Sequence, residues 1–132
     1  MSKNLKILVG DDSILARKQL KDVIAKYTEE PTFIDASNGQ EAIDKFLENK
    51  PDIVFLDIVM PVKDGISAVS EIIAKDPSAK IIIVSSVGTQ AQLKAAIEAG
   101  ARDFVQKPIR ADQIENVLKS QTSEETDESQ GE

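Results

Sequence analysis

Short apolar runs alternate with segments of helical spacing along the whole chain, and that alternation limits the folds open to it. Leu5 to Val9 is apolar apart from Lys6, and Thr32 to Ala36 is a weaker run. Ile53 to Leu56 and Ile81 to Val84 are apolar throughout, and Asp103 to Gln106 is a last short strand. Helical patterns lie between them. Ser13 is placed to cap a helix with Leu20, Val23, Ile24 and Tyr27 on one face. Asn38, Gly39 and Glu41 open a second helix, with Ala42, Ile43, Phe46 and Leu47 inward and Pro51 as its stop. After a loop carrying Pro61 and Gly65, a third turns Val69, Ile72 and Ile73 inward and ends at Asp76-Pro77. Leu93, Ala96 and Ile97 mark a fourth, closed by Gly100. Ile114, Val117 and Leu118 mark a fifth. Strict alternation implies parallel strands joined by right-handed crossovers. Strands that are apolar throughout are buried on both faces, as in a sheet with helices on each side.

Composition removes several kinds of chemistry. The 132 residues suit one domain and contain neither Cys nor His. Disulfides, thiolate sites, His-ligated zinc and a His general base are therefore excluded. Any resident metal must be held by oxygen, which points to magnesium or calcium. The formal net charge is -7, but residues 121–132 carry five acids and no base, leaving 18 acids against 16 bases in the rest. That near-neutral body has no basic stripe for nucleic acid. No apolar run reaches the roughly 20 residues of a membrane span. The N-terminus leads directly into the first strand without a signal-peptide pattern, so a cytoplasmic location is expected. The expected organisation is one domain over residues 1–120 and an acidic, disordered tail over 121–132, where no apolar residue occurs.

In an open parallel sheet, sites form outside the carboxyl ends of the strands. Strand one ends at Asp11-Asp12, strand three at Asp57, strand four at Ser85-Ser86 and strand five at Lys107-Pro108. A single acid after a strand is usually a helix cap. Capping does not explain why polar groups from four units meet at one edge. Carboxylates at close range repel, so one takes a proton or a cation sits among them. Magnesium suits the second case, because it needs few carboxylates and keeps water positions open for a phosphoryl oxygen. One carboxylate can then attack phosphorus and form an aspartyl phosphate. The metal and the Lys107 ammonium would offset charge on the transferring group, and the Ser85 hydroxyl could bond a phosphoryl oxygen.

These residues resemble the receiver domains of two-component response regulators, over residues 5–120. The resemblance is carried by Asp11-Asp12, by Asp57-Ile58-Val59-Met60-Pro61 with Asp64-Gly65 beyond, by Ser85, and by Phe104 with Lys107-Pro108. Within the family, the stretch from Ser85 to Lys107 is most similar to single-domain chemotaxis regulators. The resemblance implies a flavodoxin-like α/β fold, a five-stranded parallel sheet of order 2-1-3-4-5 with helices on both faces. It implies Asp57 as phosphoacceptor and Mg2+ held by Asp12, Asp57 and the Val59 carbonyl, with Asp11 acting through water. Lys107 would pair with the phosphoryl group. Ser85, with Ser86 beside it, would bind the group, and the Phe104 ring would turn inward as Ser85 moves. A blander reading of Ser86 is a small residue that leaves access to Asp57. A cis peptide before Pro108 is also implied. The readout face would be the fourth helix, fifth strand and fifth helix.

The implied partners are a histidine kinase as phosphodonor and a downstream target protein, with the flagellar motor switch as a candidate. The unphosphorylated chain is expected to be a monomer. In this family the residues two after the acceptor and two after the hydroxyl flank the water path to phosphorus. Here they are Val59 and Val87, both apolar and β-branched. Slow self-dephosphorylation and a separate phosphatase are therefore expected. Two departures stand out: Gly10 precedes the acid pair where the family has a larger residue, which would loosen the first loop, and Ser85 stands where Thr is frequent.

Other functions fit less well. A metal-dependent phosphatase with an aspartyl-phosphate intermediate places a second acid two residues after its nucleophile, where this chain has Val59. A dinucleotide binder needs Gly-x-Gly-x-x-Gly after strand one, and none is present. A receiver domain cut from a longer regulator with an output domain remains the alternative within the family.

Overall fold

The computed structural model describes residues 2–86 and 88–122. Its strands are β1 (Ser2–Lys3), β2 (Lys6–Gly10), β3 (Thr28–Glu29), β4 (Thr32–Ala36), β5 (Ile53–Leu56), β6 (Ile81–Ser85) and β7 (Asp103–Gln106). The helices are α1 (Ile14–Ala25), α2 (Gly39–Asn49), α3 (Gly65–Lys75), α4 (Gln90–Ala99) and α5 (Ala111–Thr122). The main sheet runs β4-β2-β5-β6-β7, all parallel. Counting only the five expected strands, this is the order 2-1-3-4-5. Two-residue β1 and β3 form a separate parallel pair, Ser2 with Thr28 and Lys3 with Glu29, which the apolar pattern does not announce.

The period-2 alternation of a strand divides the core into two layers. Leu8, Val54, Leu56, Ile81 and Ile83 face the layer built with Ala42, Phe46, Val69, Ile72 and Ala96 from α2, α3 and α4. Ile7, Val9, Ile53, Phe55, Ile82 and Val84 face the opposite layer with Leu20, Ile24, Ile114, Val117 and Leu118 from α1 and α5. The central strands β5 and β6 are buried along their whole length, so their continuous apolar runs are required on both faces.

The helix ends follow their side chains. Ser13, Asn38, Asp64 and Thr89 each accept a backbone N–H from three residues on, capping α1 to α4. Lys50 closes α2 at φ 50°, and Gly100 closes α4 at φ 122°, a conformation that suits glycine.

Some expectations need correction. Leu47, Leu93 and Ile97 hold inward positions in the periodic pattern, yet they are 37%, 39% and 46% exposed. Helix α4 packs on α3 and on the edge strand β7, so much of its apolar stripe overhangs the sheet and only Ala96 is buried. Tyr27 lies beyond the end of α1 but still packs on the α1–α5 layer. The last helix continues through Thr122, past the expected boundary at residue 120. Gln121 is buried and its carbonyl accepts from Lys80 Nζ at 2.6 Å, so neither Gln121 nor Thr122 belongs to a disordered tail. The remainder of that tail, 123–132, and Val87 lie outside the described residues. Gly10 does not loosen the first loop: it pairs with Ala36 and Leu56, and its carbonyl accepts from Asp57 N at 2.9 Å. A Cβ there would lie 2.5 Å from Leu56 Cδ2, so the Leu56 side chain fills the space that a larger residue would take.

Candidate functional site

The carboxyl ends of β2, β5, β6 and β7 converge at one edge of the sheet. Asp11 and Asp12 follow β2, and Asp57 follows β5 at the middle of the sheet. Asp11 and Asp57 are buried while Asp12 is exposed, and one carboxylate oxygen from each lies within 4.8 Å of the others. Lys107, just past β7, donates from Nζ to Asp11 Oδ2 at 2.7 Å and to Asp57 Oδ2 at 3.3 Å. Burial favours the neutral amine, but the hydrogen bond to Asp11 and the charges of Asp57 and Asp11 outweigh it and raise the Lys107 pKa above its ordinary value. Lys107 is therefore a fixed positive charge among three carboxylates. The Lys107–Pro108 peptide is cis, in agreement with the family resemblance.

The backbone holds these groups in place. Asp57 N is tied to the Gly10 carbonyl, and Asp11 N donates to the Ala36 carbonyl at 3.0 Å. Asp11 Oδ1 accepts from Ser13 N at 2.9 Å, so the start of α1 also fixes the first acid. The loop after Asp57 folds back, with Gly65 N donating to the Ile58 carbonyl at 2.8 Å. A Cβ at Gly65 would lie 2.0 Å from the Asp57 carbonyl oxygen, so only glycine lets α3 begin this close to the end of β5. Gly39 plays the same part at α2: its N–H donates to the Lys63 carbonyl at 2.8 Å, and a Cβ would lie 2.1 Å from that oxygen.

Each residue singled out in the sequence has a defined place, apart from Val87. Asp11, Asp12, Asp57 and Lys107 come together directly. Ser85 is fully buried at the end of β6 and registers with Gln106, and its carbonyl accepts from Lys107 N at 2.9 Å. Ser86 follows it and is exposed. Phe104 is half-buried on β7 and packs on the α2–α4 layer. Val59 is 60% exposed in the loop after Asp57, so its side chain makes no part of the core.

Sequence reasoning missed Arg17. Its Nη1 donates to the Asp11 carbonyl at 2.6 Å and its Nε to Asp35 Oδ2 at 2.8 Å. One signal was present: a cation early in a helix runs against the macrodipole and calls for a local anionic partner.

The three-carboxylate donor set, in a chain without His or Cys, suits a hard cation of the magnesium type. An acid at the end of the central strand, beside such a cluster and a lysine, is the arrangement that the receiver resemblance implies. A family model described as response regulator receiver domain matches residues 7–119. The chain belongs to that family and is a two-component signalling domain. It is similar to the chemotaxis protein CheY of Listeria monocytogenes, with 44% identity covering 87% of this chain and 96% of the relative. It is likewise similar to the chemotaxis protein CheY of Thermotoga maritima, with 45% identity covering 86% and 93%. Among solved structures, a chain of the CheX–CheY–BeF3–Mg2+ complex from Borrelia burgdorferi matches with a TM-score of 0.82 and 31% identity, covering 88% of this chain and 87% of that one. Among the described residues, no helix is long and apolar enough to cross a membrane.

Proposed function

We propose that this chain is a CheY-like chemotaxis regulator that accepts a phosphoryl group from a histidine kinase onto Asp57 and then switches a protein-binding face. The observation that carries this reading is the buried Asp57 carboxylate, flanked by Asp11 and Asp12 and 3.3 Å from Lys107 Nζ. Asp12, Asp57 and the Val59 carbonyl would hold Mg2+ directly, and Asp11 would hold it through water. The ion supplies positive charge that offsets the developing charge on the phosphoryl oxygens.

An Asp57 oxygen attacks phosphorus, a P–O bond forms, and the P–N bond to the donor imidazole breaks. The bonding pair leaves with the imidazole. Lys107, fully protonated, exchanges a carboxylate partner for a phosphoryl oxygen. The Ser85 hydroxyl, with Ser86 beside it, bonds the new group, and Phe104 follows inward. The readout face is α4, β7 and α5, where Leu93 and Ile97 are already exposed. Its target is a protein, with the flagellar motor switch as the candidate. The chain acts in the cytoplasm, as a monomer before phosphorylation, and is a signalling domain rather than a turnover enzyme. Val59 and Val87 keep its own hydrolysis slow, so a phosphatase ends the signal. The alternative is the receiver portion of a longer regulator with its own output domain.

The test is titration with beryllofluoride and Mg2+, an acyl-phosphate mimic, followed by amide NMR. Shifts at Ser85, Phe104 and Lys107 that vanish in Asp57→Asn support the reading. Unperturbed spectra at saturating mimic contradict it.

A further inference from the structure

Arg17 links the first acid loop to the edge of the sheet. It lies in the second turn of α1, with its side chain 13% exposed. One face of its guanidinium fork donates to the Asp11 backbone carbonyl at 2.6 Å, and the other holds Asp35 at 2.8 Å. Asp35 stands on the edge strand β4 and is itself pinned, because Lys21 Nζ lies 2.9 Å from each of its carboxylate oxygens. Lys45 of α2 donates to the Asp35 backbone carbonyl at 3.1 Å. Asp35 is thus fixed from two helices and forms a rigid base for the Arg17 fork.

The carbonyl that Arg17 grips belongs to the peptide joining Asp11 to Asp12. Its direction sets where the Asp12 side chain leaves the backbone. The Asp11 carboxylate has its own restraints in Ser13 N and Lys107 Nζ. Among the described residues, the exposed Asp12 side chain has no hydrogen-bond partner. Its closeness to Asp57 therefore depends on the backbone that carries it. A planar guanidinium can serve a carbonyl and a carboxylate together, whereas an ammonium cannot span both in this way.

We propose that Arg17 is a positioning residue for the metal: anchored by Asp35, it orients the Asp11–Asp12 peptide so that the Asp12 carboxylate stays beside that of Asp57. This rests on the magnesium reading above and deepens it. A purely structural role, fastening α1 to the sheet, would lower stability and leave the ion's affinity alone.

The experiment is calorimetric Mg2+ titration of the full chain, with melting temperature recorded for each variant. Arg17→Met keeps the apolar stem and removes the donors, and it should weaken Mg2+ binding about tenfold, as loss of an outer partner of a metal ligand does. Arg17→Lys should fall between parent and Met. Asp35→Asn should weaken binding in the same direction by loosening the anchor. Ile24→Val, a buried change farther along the same helix, should lower the melting temperature and leave Mg2+ affinity at the parent value. An Arg17→Met affinity within about twofold of the parent overturns the inference, set against the 10–100-fold usual for such partners. So does a loss in Ile24→Val equal to that of Arg17→Met at matched melting temperature, or an Asp35→Asn variant that binds as the parent does. A parent that binds no Mg2+, or Asp12→Asn binding as tightly as the parent, rejects the magnesium reading itself and this inference with it, and is recognised by appearing in those two proteins.

Discussion

Lys107 reaches from the end of β7, across the intervening β6 and β5, to donate 2.7 Å to Asp11 beyond β2. Asp11 Oδ2 and Asp57 Oδ2 share this one ammonium, so the ends of three strands are tied by a single side chain. Replacing it by Met leaves two buried carboxylates facing each other with less compensation. Lys107→Met should cost about 1–3 kcal/mol in metal-free buffer at neutral pH, the range for a buried polar group that loses its partner. Saturating Mg2+ should restore more stability to this variant than to the parent, since a ligand that binds only the folded state stabilises it by mass action. Melting curves with and without the ion check this, and an equal Mg2+ effect in both proteins would count against the shared-charge account.

The glycines offer a sharper contrast. At Gly65 and Gly39 an added methyl meets the backbone oxygens of Asp57 and Lys63 at 2.0 and 2.1 Å. Backbone there cannot yield without moving Asp57 or the loop that follows it. Gly65→Ala and Gly39→Ala should each destabilise by about 2–4 kcal/mol or prevent folding, the upper end of overpacking costs. Gly10→Ala meets the end of the Leu56 side chain, which can rotate away, and should cost under about 1.5 kcal/mol. Urea titration of the three variants ranks them, and a Gly10→Ala loss equal to the others would show that the Leu56 packing is as stiff as backbone.

The layers of the fold were legible because β5 and the first four positions of β6 are apolar and α2, α3 and α5 keep helical spacing. The outer part of α4 was not, because Leu93 and Ile97 satisfy the same periodicity as Ala96 and nothing in one sequence says where a sheet ends. The pairing of β1 with β3 was invisible for another reason: two-residue strands carry no period. At the site, Asp11, Asp12, Asp57 and Lys107 could be read from their places after strands. Arg17 offered only its place early in a helix as a signal, because one of its partners is a backbone carbonyl, which leaves no trace in composition, and the other, Asp35, lies 18 residues away on another element.

Acid should loosen the network under the first loop. Burial pushes the Asp35 carboxyl up, but hydrogen bonds and charge from Lys21 and Arg17 prevail and hold it below its ordinary 3.8. A depressed folded-state pKa contributes stability above the unfolded value, and that contribution is lost as pH falls through the folded value. Asp35→Asn should therefore lower stability at pH 7 and flatten its fall on the acid side below pH about 4. Chemical denaturation from pH 7 downward checks this, and parallel curves for parent and variant would contradict it.

On the proposed reading, the lifetime of a phosphoryl group on Asp57 should depend on Val59 and Val87, the positions that the family resemblance assigns to the water path. Val59 is exposed in the loop after Asp57, and its apolar side chain cannot hydrogen-bond a water. Replacing Val59 by Asn and Val87 by Glu should speed decay by about tenfold or more, since each 1.4 kcal/mol of barrier is a factor of ten. Loss of label after donor removal measures this, and a parent that decays as fast as the double variant would refute it.

The central claim is that Asp57 takes the phosphoryl group. Incubation with acetyl phosphate and Mg2+, followed by intact-mass measurement and borohydride reduction, tests it most directly, because reduction converts an aspartyl phosphate to homoserine at the modified position. The account predicts one added phosphoryl group, homoserine at position 57, and no addition in Asp57→Asn or without Mg2+. Full incorporation in Asp57→Asn, or homoserine at position 11 or 12 in the parent, would contradict it.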